Sequence, residues 1–161
     1  ARVIATVSTT QAADVAKASG ADAVIDRKRE DVVARVKEAT QGAGVDRILD
    51  VAFESNIEMD LAVLKPNGVI ASYSAGSPTG AVSFPFPRYM AMGITLHTIM
   101  VYGMSREAHW AAVRDTTAAL KAGAYLPRIG ARFPLDRTAD AHVAQDDGSV
   151  TGKIMIDVGT A

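Results

Sequence analysis

Apolar positions along the chain alternate between two periods. Short β-branched runs read as buried strands, and apolar residues at helical spacing lie between them. The pattern is clearest over residues 44–77. Arg47-Ile48-Leu49-Asp50-Val51-Ala52 is a strand-forming run. Ser55 stands three residues before Glu58, a capping box that predicts a helix start, and Ile57, Leu61 and Leu64 follow on one helical face. Pro66-Asn67-Gly68 is turn chemistry, and Val69-Ile70-Ala71-Ser72-Tyr73 predicts a second strand ending in small residues. Strands joined through a helix run parallel with a right-handed crossover. Ligands in such sheets sit beyond the carboxyl ends of the strands. Ala52-Phe53-Glu54 and Ser74-Ala75-Gly76 therefore mark a candidate binding edge.

The same alternation extends to both sides. Val3 to Val7 predicts a strand, with Ser8-Thr9-Thr10 capping a helix from Gln11 to Ser19 that Gly20 stops. Ala21 to Asp26 predicts a strand, and Asp31 to Thr40 a helix with Val32, Val33, Val36 and Ala39 on one face. Beyond Gly76, residues 77–88 contain Pro78, Pro85 and Pro87 and read as loop, with a helical turn at Tyr89 to Met92. Ile94 to Tyr102 is the longest predicted strand. Ser105 caps a helix to Lys121 on which Trp110, Val113, Thr117 and Leu120 share a face. An extended run from Leu126 to Phe133, a helix from Asp136 to Gln145 and a strand from Lys153 to Val158 complete the chain. The strand–helix alternation of the first hundred residues favours a doubly wound α/β fold with a parallel sheet.

Composition narrows the function classes. The 161 residues are 48% hydrophobic and 22% charged, with a formal net charge of -1. That length suits one domain with a sizeable core. Near-neutral charge argues against a nucleic-acid surface. There is no cysteine, hence no disulfide and no thiolate zinc site in this chain. No apolar run approaches the roughly 20 residues that span a bilayer, so no membrane partner is expected. The expectation is a soluble cytoplasmic protein. Ala1 opens directly into a strand, which suggests a piece of a longer protein.

The segments ARVIATVSTT, SGADAVIDRKRED, GVDRILDVAF, LKPNGVIASYSAG and TGKIMIDVG, in this order and spacing, resemble the medium-chain dehydrogenase/reductase superfamily. The resemblance is closest to its zinc-independent quinone oxidoreductases and covers almost the whole chain. It implies a Rossmann-like sheet entered at the family's second strand. The preceding strand, with the glycine-rich turn that holds the cofactor pyrophosphate, and the N-terminal catalytic domain would lie outside this chain. Residues 1–104 would form a partial nucleotide-binding domain. Residues 105–161 would pack on it and return to the absent catalytic domain, which would select the small-molecule substrate.

The resemblance also assigns candidate residues. Ser8, Thr9 and Thr10 stand where an NAD enzyme usually carries an acid for the ribose 2′-hydroxyl, which leaves room for a 2′-phosphate and favours NADP over NAD. The plainer account is helix capping, and both can hold. Relatives often carry Lys where this chain has Ala12 and Tyr where it has Arg27. Arg27 is a good phosphate partner, or else part of a solvated Arg27-Lys28-Arg29 loop. Ala52 and Phe53 would line the groove, Phe53 stacking on a base or obstructing it. Ser74, Ala75 and Gly76 would admit the cofactor closely, or simply form a strand-to-loop turn. Met100 and Val101 would lie near the nicotinamide. Lys153 resembles a position near the cofactor, or is an exposed lysine at a strand start. The unprotected run Ile94 to Tyr102 predicts a homodimer edge. His97, His109 and His142 show no ligand spacing, with His142 expected to pack, and no catalytic residue is assigned.

Two readings follow. One is the nucleotide-binding portion of an NADP(H)-dependent oxidoreductase that reduces a quinone or an activated alkene or carbonyl, without a metal. The other is a non-catalytic Rossmann-like domain, for dimerisation or binding, with no cofactor. A different doubly wound enzyme such as a methyltransferase is disfavoured by the motifs beyond Gly76.

Overall fold

The computed structural model of the chain describes residues 1–76 and 82–159. The chain divides into two compact units, Ala1–Gly103 and Met104–Ala161. The first contains strands β1 (Ile4–Val7), β2 (Ala23–Asp26), β3 (Val45–Asp50), β4 (Leu64–Ser72) and β5 (Thr95–Thr98). Helices α1 (Thr10–Ala18), α2 (Val32–Ala39), α3 (Phe53–Val63) and α4 (Phe86–Met92) alternate with them. The second contains α5 (Arg106–Lys121), β6 (Ile129–Pro134), α6 (Thr138–Asp146) and β7 (Lys153–Asp157).

Every strand pair is parallel: β1 with β2, β3 with β4, β4 with β5, and β6 with β7. This is the expected α/β class with parallel strands. The ladders form separate sheets, β1-β2 and β3-β4-β5 in the first unit and β6-β7 in the second. Side chains join the first two. Ile25, Val36 and Val63 form a cluster that Ile4 of one sheet and Val45 and Ile48 of the other pack against. A second cluster lies beside it, with Phe53, Ile57, Leu61, Leu64, Ile70 and Tyr89. Ile70, towards the carboxyl end of β4, is wholly buried. The opposite face of β3 is open, with Leu49 74% exposed.

Local chemistry explains the helix starts. The Thr9 hydroxyl accepts the Ala12 N–H at 3.1 Å, and the Asp31 carboxylate accepts the Ala34 N–H at 3.1 Å. Each satisfies a donor that the first helical turn leaves open. Ser105 caps α5 in the same way, through the Ala108 N–H at 3.2 Å. Gly44, at φ +83, lies where a Cβ would come within 2.5 Å of the Val63 carbonyl oxygen, so only glycine lets β3 begin so close to the end of α3.

Five expectations are corrected. The Ser55–Glu58 capping box does not start a helix: α3 begins at Phe53, and the Ser55 hydroxyl donates to the Ala52 carbonyl at 2.9 Å. The Pro66-Asn67-Gly68 turn lies inside β4 as an irregularity, with Val45 opposite Leu64 but Arg47 opposite Val69, and Asn67 at φ 60. The long strand Ile94 to Tyr102 shrinks to Thr95–Thr98, since Val101–Gly103 turns into a 3-10 helix and ends the ladder. His142 is exposed, and Ala141 is the buried residue of α6. The expected loop over 77–88 is cut short by α4, and residues 77–81 lie outside the described residues.

Candidate functional site

The predicted residues of the first unit gather in two places. At the carboxyl edge of β1-β2, Val7 stands opposite Asp26, so Ser8, Thr9 and Thr10 follow one strand and Arg27 its neighbour. The Arg27 N–H donates to the Val7 carbonyl at 2.9 Å, which locks the two strand ends together. Thr9 is the helix cap; Thr10 opens α1. The Arg27-Lys28-Arg29 turn is built by its acids: Asp26 accepts the Lys28 N–H at 3.0 Å, and Glu30 accepts the Asp26 N–H at 2.8 Å. Arg29 lies 3.6 Å from Asp26. Arg27 itself is exposed and makes no ion pair among the described residues.

The second place is a cavity of about 510 Å³ at the carboxyl ends of β4 and β5. Phe53, Ser74, Ala75 and Met100 line it. So do residues that no sequence signal singled out, among them Ser72, Phe84, Thr98 and Ile99. Strand alternation places Ser72 and Thr98 one residue apart from a predicted site; nothing in the sequence points to Phe84. Phe53 is buried in the core cluster and presents one side to the cavity. Ala52 and Gly76 meet beside it: a Cβ on Gly76 would lie 3.1 Å from the Ala52 Cα. The smallness of Gly76 is used first to let two turns pass each other. Val101 follows Met100 on the exposed 3-10 turn. Lys153 belongs to the second unit, where it opens β7, exposed, and its N–H donates to the Arg128 carbonyl at 2.7 Å.

Backbone bonds tie the cavity wall to the first turn of α3. The Phe53 N–H donates to the Ser74 carbonyl at 3.3 Å and the Glu54 N–H to the Ala75 carbonyl at 2.9 Å. These are the donors that a helix N-terminus would otherwise offer an anion. The turn before them is held by Asp50, whose Oδ1 accepts the Ala52 N–H at 3.2 Å and an Asn56 Nδ2 hydrogen at 2.6 Å.

Behind this wall lies a buried polar group. Asp50, Asp60 and Tyr89 are 4%, 2% and 4% exposed, and Asp50 Oδ2, Asp60 Oδ2 and Tyr89 Oη have no hydrogen-bond partner among the described residues. Burial first, and then the negative charge of Asp50, raise the Asp60 carboxyl from near 3.8 to about 7. Burial, then the charges of Asp60, Asp50 and Glu58, push the Tyr89 hydroxyl up to about 12. The capping of α3 and the helical face of Asp60 gave no sequence signal for this group.

The zinc-binding dehydrogenase family matches residues 1–119. The 2-haloacrylate reductase of a Burkholderia species is 28% identical over 97% of this chain and 48% of its own length. Quinone oxidoreductase 1 of Escherichia coli is 26% identical over 97% of this chain and 49% of its own. The solved structure of a mycobacterial protein in complex with NADPH superposes with a TM-score of 0.79 at 28% identity, covering 97% of this chain and 50% of that one. The chain spans about half the length of the curated relatives it matches. The residues here do not fit a zinc ion. The chain has no cysteine, and no group of three His, Asp or Glu stands together among the described residues.

Proposed function

The chain belongs to the zinc-binding dehydrogenase family, in the quinone oxidoreductase branch of the medium-chain dehydrogenase/reductase superfamily, and we propose that it forms the nucleotide-binding portion of an NADP(H)-dependent oxidoreductase. The observation that carries this reading is the cavity at the carboxyl ends of β4 and β5, walled by Phe53, Ser74, Ala75 and Met100. An open crevice with small residues at that end of a parallel sheet is where such folds take a dinucleotide. Ala52 and Gly76 shape its rim. Ser8, Thr9, Thr10 and Arg27 receive the adenosine ribose, and Arg27 faces its 2′-phosphate, since guanidinium pairs with phosphate in a fixed fork. Val101 completes the set beside Met100, near the nicotinamide side.

The cofactor, when bound, supplies the hydride; this chain binds and orients it. The whole protein's substrate is then a quinone or an activated alkene or carbonyl, selected by a domain outside this chain, and no zinc takes part. A homodimer across the open edge of β5 belongs to the same reading. The exposed apolar run Ile99, Met100, Val101 and Tyr102 continues from that edge, with Tyr102 98% exposed. The setting is cytoplasmic. No helix among the described residues is long and apolar enough to cross a membrane.

The competing reading, a domain that binds no cofactor, gains from the use of the Phe53 and Glu54 N–H groups within the fold. Calorimetric titration separates the two. On this chain and on one extended upstream, NADPH should bind more tightly than NADH by about tenfold, the worth of one charged hydrogen bond. Absence of heat from both nucleotides on both chains would establish the non-catalytic domain instead.

A further inference from the structure

The turn that carries Arg27 is braced by acids that would themselves repel an anion. β2 ends at Asp26, and the turn leads into α2. The Arg29 and Glu30 N–H groups donate to the Asp26 carbonyl at 3.0 and 2.8 Å. Two carboxylates then lock the turn. Asp26 Oδ1 accepts the Lys28 N–H at 3.0 Å, and Glu30 Oε1 accepts the Asp26 N–H at 2.8 Å. Glu30 is clasped in turn from α2, where Arg35 Nε lies 2.7 Å from its Oε2. The Arg27 N–H donates to the Val7 carbonyl at 2.9 Å, which fixes the turn to the end of β1 beside Ser8. Both acids are therefore engaged within the turn and its clasp, Asp26 also with Arg29 at 3.6 Å. Arg27 and Lys28 are exposed and make no ion pair among the described residues. The turn offers two unneutralised cations on a backbone that is already held. A side chain on such a backbone loses less freedom when it binds.

We infer that Glu30, clasped by Arg35, is a positioning residue for phosphate recognition: it fixes the turn that presents Arg27, and the preference for a 2′-phosphorylated nucleotide depends on it. The inference rests on the function proposed above and deepens it. Its signature is a sign. Coulomb's law alone makes removal of an acid from this turn strengthen phosphate binding. Positioning makes the same removal weaken it, because the loosened turn must be ordered again each time a phosphate binds.

The test titrates NADP⁺ and NAD⁺ calorimetrically into this chain and its upstream-extended form, as wild type, Glu30→Ala, Glu30→Gln and Arg27→Ala. Glu30→Ala should weaken NADP⁺ binding roughly fivefold, the equivalent of re-ordering one long side chain, and leave NAD⁺ binding unchanged. Glu30→Gln keeps an oxygen for the Asp26 N–H and should recover most of that loss. Unchanged or tighter NADP⁺ binding by Glu30→Ala overturns the inference. An equal loss for NAD⁺, or a Glu30→Gln no better than Glu30→Ala, overturns it too. Hydrogen exchange at the Asp26 amide reads the brace without any ligand: it should quicken roughly tenfold in Glu30→Ala but not in Glu30→Gln, and an amide equally protected in all three overturns the inference. Arg27→Ala separates the two claims. A loss of NADP⁺ affinity there with none at Glu30→Ala removes the role of Glu30 alone. No loss at Arg27→Ala, or no heat from either nucleotide throughout, removes the phosphate reading of Arg27 and this inference with it.

Discussion

The two units of this chain treat their apolar residues in opposite ways. Apart from Ala141, every buried apolar residue among those described belongs to the first unit. The second has a sixteen-residue helix, a parallel strand pair and sound caps, yet α5 buries none of its residues. Trp110, Val113 and Thr117 do share a face, as their spacing predicts, and that face lines an open groove. Backbone hydrogen bonds are made locally and form in both units. A core needs surfaces from several elements at once, and only the first unit brings them together.

The largest expected effect sharpens that contrast at the buried acid. Asp60 keeps its proton in the native state up to about pH 7, while the unfolded chain releases it near 3.8. Between those values the native state binds the extra proton, so this group's contribution to stability falls as pH rises and stays low above 7. Asp60→Asn should therefore stabilise the chain at pH 8 by up to about 4 kcal/mol relative to its effect at pH 4. Urea denaturation at the two pH values checks this. In the second unit, by contrast, the Arg132–Asp157 pair at 2.7 Å is half-exposed on both sides. Pairs of that kind contribute roughly 0 to 1 kcal/mol.

Next in size is the core itself. Ile70→Ala should destabilise the first unit by about 3 kcal/mol, through lost burial and the cavity left behind. A midpoint unchanged in denaturant would mean that β4 is not the centre of the core. Thr9→Ala should remove about 1 kcal/mol by freeing the Ala12 N–H, read as a shift in the same transition. The smallest effect is expected at Trp110→Ala, which at 59% exposure should change stability by less than about 0.5 kcal/mol. A loss of several kcal/mol there would show that the helix face is covered in solution and break the contrast between the units.

The same division separates what was legible from what was not. The caps within Ser8-Thr9-Thr10 and at Ser105 could be read directly, because a cap depends on residues three apart. The parallel pairing followed from strand–helix alternation, and the carboxyl-end edge with Ser74, Ala75 and Phe53 followed from the parallel pairing. Two local signals failed for tertiary reasons. Ser55-Glu58 has the form of a capping box, but Asp50, six residues before Asn56 in sequence, anchors the turn and starts α3 earlier. Ile94 to Tyr102 has the composition of a long strand, but β4 ends at Ser72, so the ladder has nothing to pair with beyond Thr98 except the single Ile99 N–H bond to the Ser72 carbonyl at 2.8 Å.

By itself the sequence determined the order and kind of most elements and the parallel connection between the strands. Those properties arise from spacing and steric preference over a few residues. Tertiary structure alone decided that Phe53 would face the core, that Gly76 would serve the approach of two turns, and that Asp60 would be shut away beside Asp50 and Tyr89. Burial and the proximity of charges are sums over residues distant in the chain, and no local pattern carries them.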